Sequence, residues 1–370
     1  MPQPRILAID VGTGTQDVLV FEAGTLIENS VQLIMPSPTS IAADRVRRAT
    51  EERVPLLLTG VTMGGGPVAW AVEAHLRSGL QVAATADAAR TFDDDLTRVE
   101  AMGVRVIEDG APPPADGARR IELRDLYLPE VIQALSAFGV PPDFDLLAVA
   151  VFDHGAAPPG YSDRRFRFDY LKEQVDRGAG LEAFGFLAEA IPERMTRMRA
   201  VAAGAEWRDR GRLFVMDTGP AAVLGALDDP RVEAADRSLL VNLGNFHTLA
   251  FLMEGRRIAG LFEHHTGELT RTELERYLTQ LAEGTIRNAE VFEDMGHGAL
   301  ELGPSAGPPD LLAVTGPRRG LLAGSTLHPY LAVPHGDMML AGCFGLLRAL
   351  AHQLPELRTP IETVLGESAS

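Results

Sequence analysis

The stretch Asp10-Val-Gly-Thr-Gly-Thr-Gln-Asp17 lies between two apolar runs, Arg5 to Ile9 and Val18 to Phe21. Two short strands joined by a Gly/Thr-rich bend predict a β-hairpin, and Thr25 to Leu33 can supply a third strand. A further passage, Val241-Asn-Leu-Gly-Asn-Phe-His-Thr248, repeats the plan. There the expected strands are Leu239 to Leu243, Thr248 to Met253 and Ile258 to Phe262. This echo of 5–33 in 239–262 predicts two similar halves. Gly12 and Gly14 allow positive φ and close backbone approach. Successive N–H groups in such a bend form an anion nest, and Thr13 and Thr15 add hydroxyl donors. Asp10 ends the first strand, where a carboxylate can hold Mg²⁺ directly or through water. Taken alone, the bend at Gly244-Asn245 is what any hairpin needs. Paired with the first, it forms the opposite jaw of a clamp on a phosphate chain.

The remaining chain alternates strand and helix, which predicts α/β layering. Val54 to Val61 reads as a strand, followed by Gly64-Gly-Gly-Pro67 and an Ala-rich helix to about Ser78. Gln81 to Ala86 and Val104 to Ile107 are further strands, with a helix over Asp93 to Met102 and a loop over Ala111 to Gly117. The Gly64–Pro67 bend reads either as a tight turn or as an anion cradle at a helix N-terminus. Leu126 to Phe138 is helical, and Asp145 to Phe152 is a buried strand ending in Asp153-His154-Gly155. A long helical region is expected from about Phe168 to Ala203. Leu213 to Met216 runs as a strand into Asp217-Thr-Gly-Pro, where the proline fits a helix entry. Thr270 to Ala282 is helical, Leu311 to Thr315 is a strand reaching Gly316, and a final helix covers about Asp337 to His352. The tail after Pro360 is expected to fray. The expected division is 1–236 with an α/β insert around 54–110, then 237–353, then a tail over 354–370.

Two carboxylates are candidate general bases. Asp217 stands at a strand end beside a helix start, where it can take a proton from a hydroxyl or simply cap the helix. Asp153 ends the strongest predicted strand, where ligands gather in open α/β sheets; its alternative is a turn residue. His154 or His247 can contact substrate or phosphate. A rival reading gathers His154, His247, His264, His265, His297 and His335 around Zn²⁺, Mn²⁺ or Fe²⁺. The alternative is that these histidines are scattered polar residues at loop mouths.

Composition narrows the field. At 370 residues the chain is long enough for roughly two domains. With 34 basic and 51 acidic residues the net charge is −17, which disfavours nucleic-acid and anionic-membrane partners and leaves a small-molecule substrate. Lys172 is the only lysine and stands outside any Gly-rich loop, so a P-loop is excluded and a Schiff-base lysine nearly so. Cys343 is the only cysteine, which excludes an intramolecular disulfide, a CxxC site and a cysteine-ligated iron–sulfur cluster. No apolar run reaches 18 residues, so no transmembrane helix is expected. Asp10 interrupts the run that a signal peptide would need, and a cytoplasmic location is expected. Nothing in the sequence carries a signal for oligomeric state.

The order of these motifs resembles the superfamily of sugar kinases, heat-shock ATPases and actin, and within it the FGGY carbohydrate kinases. Asp10-Val-Gly-Thr-Gly-Thr resembles the first phosphate motif, and Leu240-Val-Asn-Leu-Gly-Asn-Phe-His-Thr the second. Asp217-Thr-Gly-Pro-Ala-Ala-Val-Leu-Gly resembles the segment carrying the catalytic aspartate. Val314-Thr-Gly-Pro-Arg-Arg resembles the adenosine motif, and 333–345 the closing helix. Three departures stand out: Gly316-Pro317 replaces paired glycines, Asn245-Phe246 stands where Thr-Ser is common, and 54–107 matches no kinase motif. The chain also resembles a branch labelled as pyruvate formate-lyase activating enzymes. Radical activation by S-adenosylmethionine needs three cysteines, and this chain has one. The resemblance implies two ribonuclease H-like domains of actin/sugar-kinase type around a central cleft. It further implies ATP and Mg²⁺ as cofactors and phosphoryl transfer to a small hydroxylated metabolite, or ATP hydrolysis. A metal-dependent hydrolase and a non-catalytic nucleotide sensor or activator are the alternatives.

Overall fold

The apolar runs pair as the hairpin reading requires. In the computed structural model, residues 4–367 are described apart from 114, 178–179, 206, 208–210 and 301–306. The first sheet has the order β3 (Val31–Pro36), β2 (Thr15–Glu22), β1 (Arg5–Val11), β8 (Leu146–Val151), β10 (Arg212–Asp217), β9 (Gly185–Leu187). β1, β2 and β3 form an antiparallel meander, while β8 and β10 run parallel to β1. Every residue of β8 is buried, as expected of a parallel strand covered on both faces.

Another six-stranded sheet repeats that plan: β14 (Gly298–Ala299), β13 (Arg257–His265), β12 (His247–Glu254), β11 (Arg237–Leu243), β15 (Leu311–Thr315), β16 (Tyr330–Leu331). Its meander is β11–β12–β13, with β15 and β16 parallel to β11. Both sheets therefore carry the 3-2-1-4-5 strand order of a ribonuclease H-like domain, and the chain holds two of them. Between β3 and β8 lies a parallel four-stranded sheet, β6 (Val104–Ile107), β5 (Val82–Thr85), β4 (Leu56–Gly60), β7 (Arg119–Leu123). It has its own apolar core, which includes Leu56, Leu58, Val72, Val99 and Ile121.

Two helices join the domains. The helix Thr218–Ala226 follows β10, and the helix Ala341–Gln353 follows β16. They cross so closely that a Cβ at Gly225 would overlap the Ala341 carbonyl, and one at Gly345 the Ala221 carbonyl. A third tie is Arg167, on the helix Asp163–Asp176, whose side chain is fully buried. It pairs with Asp217 at the end of β10. Its Nε donates to Glu263 Oε2 on β13 at 3.1 Å, and Nη1 donates to the Asp153 carbonyl at 3.1 Å. Its guanidinium also lies 4.6 Å from the Phe152 ring centre.

Three expectations change. The helical region over 168–203 is two helices, Asp163–Asp176 and Thr196–Gly204, with β9 between them; Gly180 and Pro192 break the path. β7 escaped notice because only Ile121 and Leu123 of Arg-Arg-Ile-Glu-Leu are buried. The segment expected to fray contains the helix Pro355–Glu367, and Leu357, Ile361, Val364 and Leu365 are buried along it. That i, i+4, i+7, i+8 spacing is an amphipathic stripe. No helix among the described residues is long and apolar enough to cross a membrane.

Arg167→Met leaves Asp217 and Glu263 without their cation, which is expected to cost about 3–5 kcal/mol. Burial already raises the Glu263 carboxyl to about 7 against the pull of Arg167. Without the guanidinium it rises further, so the variant can relieve its unpaired charge by protonation. Thermal midpoints should therefore fall less at pH 5.5 than at pH 8.

Candidate functional site

The two hairpin bends face each other across one cavity. Asp10, Gly12, Thr13 and Thr15 line it from one side, and Gly244, Asn245 and His247 from the other. The bends touch: a Cβ at Gly14 would overlap the Asn245 side-chain amide. They are also built alike. Gly12 N–H donates to the Thr15 carbonyl at 2.9 Å, and Gly244 N–H to the His247 carbonyl at 3.0 Å. The Gly14 carbonyl accepts from Ser37 N–H, as the Phe246 carbonyl accepts from Thr266 N–H. Ser37 Oγ further donates to the Thr13 carbonyl at 2.6 Å. The carbonyls are thus tied back, and among the described residues no acceptor meets the N–H of Thr13, Gly14, Asn245 or Phe246. That is a donor set for an anion.

The floor is acidic. Asp10 is buried, and its Oδ1 accepts from Thr218 Oγ1 at 2.6 Å. Asp17 stands directly opposite Asp10 in the β1–β2 register and lines the same cavity. Sequence reasoning missed Asp17, although counting the hairpin register from Gly12–Thr15 pairs it with Asp10. Burial raises Asp10 to about 7, with Asp217 adding repulsion. Burial raises Asp17 to about 8, with Asp10 adding repulsion. Like charges facing each other across a hairpin are destabilising, and Asp17 Oδ1 is buried without a hydrogen-bond partner. Two hard oxygen donors that lack a counter-cation fit Mg²⁺. Gly316, Pro317, Met338 and Met339 also line the cavity. Gly316 has φ 95° and packs against the Leu243 carbonyl.

A second chamber adjoins the first beside the bends. Phe152, Arg197, Phe246 and His247 line both chambers. The insert contributes Thr62, Gly64, Gly65, Gly66, Arg90 and Asp94, and Asp163 and Arg164 lie opposite. Trp70 of the insert meets Phe246 with ring centres 6.0 Å apart. Gly64-Gly-Gly-Pro67 is a tight turn: Gly64 N–H donates to Asp125 Oδ1 at 3.0 Å, and Gly66 has φ 49° at the helix entry. Arg197, which no sequence motif marks, is held by Asp125 at 2.6 and 2.8 Å and donates to the Phe152 carbonyl.

The candidate bases fall in different places. Asp217 is fully buried, caps the helix Thr218–Ala226 through Gly219 N–H, and pairs with Arg167. It lines neither chamber. Asp153 reaches the second chamber, but its oxygens accept from Gly155 N–H at 2.8 Å and Met198 N–H at 2.9 Å. Burial raises its carboxyl. His154 is exposed into that chamber, and its Nδ1 lies 2.7 Å from the Gly155 carbonyl. Donation from Nδ1 leaves Nε2 as an acceptor.

The six histidines do not form one group. His247, His265 and His297 converge. His264, on the other face of β13, packs near Tyr277 and Asp294. His335 is 3.1 Å from Asp228.

Two ribonuclease H-like domains that close glycine-bearing hairpins on a shared cleft define the actin and sugar-kinase class. The chain belongs to the family described as "Putative pyruvate format-lyase activating enzyme (DUF1786)", which matches residues 63–321. No curated protein matches it. Similar solved structures include the Aquifex aeolicus PPX-GPPA enzyme, at 11% identity over 85% of this chain and 68% of that chain, TM-score 0.29. The ethanolamine utilization protein EutJ from Carboxydothermus hydrogenoformans matches at 13% over 95% and 90%, TM-score 0.32. The ROK hexokinase from Thermus thermophilus matches at 13% over 95% and 99%, TM-score 0.30.

A carboxyl raised by folding stabilises the fold while protonated and loses that contribution as pH climbs through its folded value. Metal-free protein should therefore lose thermal stability from about pH 4 to pH 8 through Asp10 and Asp17. Mg²⁺ should restore more at pH 8 than at pH 5.5, because it competes with the protons. Asp17→Asn should flatten the pH profile and shrink the Mg²⁺ shift; an unchanged Mg²⁺ response would remove Asp17 from the site.

Proposed function

We propose that this protein binds ATP-Mg²⁺ between its two domains and transfers the terminal phosphoryl group to a small hydroxylated metabolite, or to water. The observation that carries the reading is the pair of hairpin bends, from 10–17 and 241–248, lining one cavity over two unneutralised carboxylates. Backbone amides of Thr13, Gly14, Asn245 and Phe246 would hold the phosphates. Among the described residues, Arg197 is the one cationic side chain lining the first cavity, and Asp125 already occupies it. Charge neutralisation therefore falls to the cation that Asp10 and Asp17 would organise. When bound, Mg²⁺ supplies that neutralisation and helps to align the reacting oxygens. The base would lie toward Gly316, Pro317, Met338 and Met339, and the acceptor would occupy the second chamber.

His154 is the general base that the geometry favours. His154 is exposed and lines the second chamber, with no hydrogen bond to its Nε2 among the described residues, whereas Asp217 and Asp153 are committed to Arg167 and to backbone amides. The acceptor hydroxyl would give its proton to His154 Nε2 as its oxygen attacks, while the Gly155 carbonyl fixes the ring. Asp217 then serves by position, setting the helix whose Thr218 orients Asp10. The family description speaks of activating pyruvate formate-lyase. The single cysteine fits no cysteine-ligated cluster: Cys343 is buried, and its thiol donates to the Asp17 carbonyl. An activator role would instead run through nucleotide-driven closure of the same cleft, and the locked state of Asp153 and Asp217 keeps that reading alive.

ATP with Mg²⁺ should raise the thermal midpoint, and ATP with a chelator should not. Absence of any nucleotide shift would overturn the reading. His154→Ala should keep the shift and lower turnover about 10²-fold or more. Retained turnover would remove His154 as base, whereas wild-type protein that binds ATP without turnover would leave the activator.

A further inference from the structure

Three imidazoles meet where β12, β13 and the entry to β14 lie side by side. His247 and His265 are directly paired across β12 and β13. His297 is placed next to them by its N–H bond to the Glu263 carbonyl at 2.9 Å. Their ring centres are 5.2, 5.2 and 4.7 Å apart. One ring nitrogen from each lies within 4.8 Å of the others. All three line the second chamber.

We propose that His247, His265 and His297 bind one divalent transition-metal ion of the zinc type, with an open coordination position facing the second chamber. The metal would take an oxygen of the substrate there: a carboxylate, phosphate or hydroxyl.

Three observations carry this. His297 is buried, and its Nδ1 has no hydrogen-bond partner. An unmet ring nitrogen is costly in the interior, and a metal ion in the cluster would draw on this ring. The His265 Nδ1 is 2.9 Å from the Met295 carbonyl; its N–H donates there, which turns Nε2 outward as a ligand. Such an outer carbonyl partner is a regular feature of metal-binding histidines. The His247 ring is clamped flat on Phe152, with centres 3.9 Å apart and planes 8° apart, so it is oriented before any ion arrives. Imidazole donors favour zinc, iron, copper or nickel over Mg²⁺. Three protein ligands with a free position is the arrangement of catalytic rather than structural zinc. Its three ligands are distinct from Asp10 and Asp17, although His247 lines both chambers, and the test needs no nucleotide.

The test uses the full chain without an affinity tag, stripped with chelator and then titrated with Co²⁺ and back-titrated with Zn²⁺. About one Co²⁺ per chain should bind with a visible d–d absorption spectrum, and Zn²⁺ should displace it. His265→Gln and His297→Ala should each weaken binding by roughly tenfold or more, since even loss of an outer-shell partner costs that much. His328→Ala and His352→Ala, at exposed positions, should bind as wild type. Thermal midpoints of the metal-free variants would show that they fold. Folded His265→Gln that binds Co²⁺ as tightly as wild type would overturn the proposal, as would wild-type protein without a Co²⁺ spectrum. A shift with ATP-Mg²⁺ in the same stripped preparations reports separately on the nucleotide reading.

Discussion

A single buried guanidinium sets the geometry on which the cleft depends. Arg167 has no contact with solvent, so its charge must be met within the protein. It is met from three directions: Asp217 on the first sheet, Glu263 on the sheet of the other domain, and the Asp153 carbonyl at the end of β8. Two domains are thereby fixed to one point. The same guanidinium covers one face of Phe152 while His247 stacks on the ring. This pillar of cation, ring and imidazole forms the wall shared by both chambers. The close helix crossing at Gly225 and Gly345 adds a second contact, backbone against backbone.

The cleft is unusual in its charge. A polyanion site commonly draws on lysine, and this chain has one lysine, Lys172, in an exposed pair with Asp176. What lines the cavity is mainly backbone N–H, hydroxyl and carboxylate, with Arg197 already paired to Asp125. Under the proposed function, a polyphosphate would enter such a site together with its own cation. The insert contributes to the wall: its glycine turn and Asp94 line the second chamber, and Trp70 meets Phe246. The departure of Asn245-Phe246 from the usual second phosphate motif thus has a structural counterpart. Phe246 occupies the place that Gly14 holds in the first bend, and its ring contacts the insert.

Much of the architecture is legible in the chain itself. Apolar runs of the right length around Gly12–Thr15 and Gly244–Asn245 specify hairpins, and their repetition specifies two alike domains. β7 and the helix Pro355–Glu367 are harder. β7 is a charged edge strand, and the helix reads as polar until its four buried positions are set on one face. At the site, the two glycine-bearing bends that line the first cavity could be located because their backbone preference is local. Asp17 needed only the hairpin register, but Arg197 had no signal, since its partner Asp125 is 72 residues away.

The sequence alone determined where the chain bends, which bends carry free amides, and that one lysine and one cysteine exclude whole classes of chemistry. Each of these follows from local backbone preference or from composition. Tertiary structure alone decided which charged groups remain available. Asp217 reads as a base, yet the fold commits it to Arg167; six histidines read as one set, yet strand alternation sends His264 away while pairing His247 with His265. Availability depends on what packs against a side chain, and for these residues the decisive neighbours lie tens to hundreds of positions away.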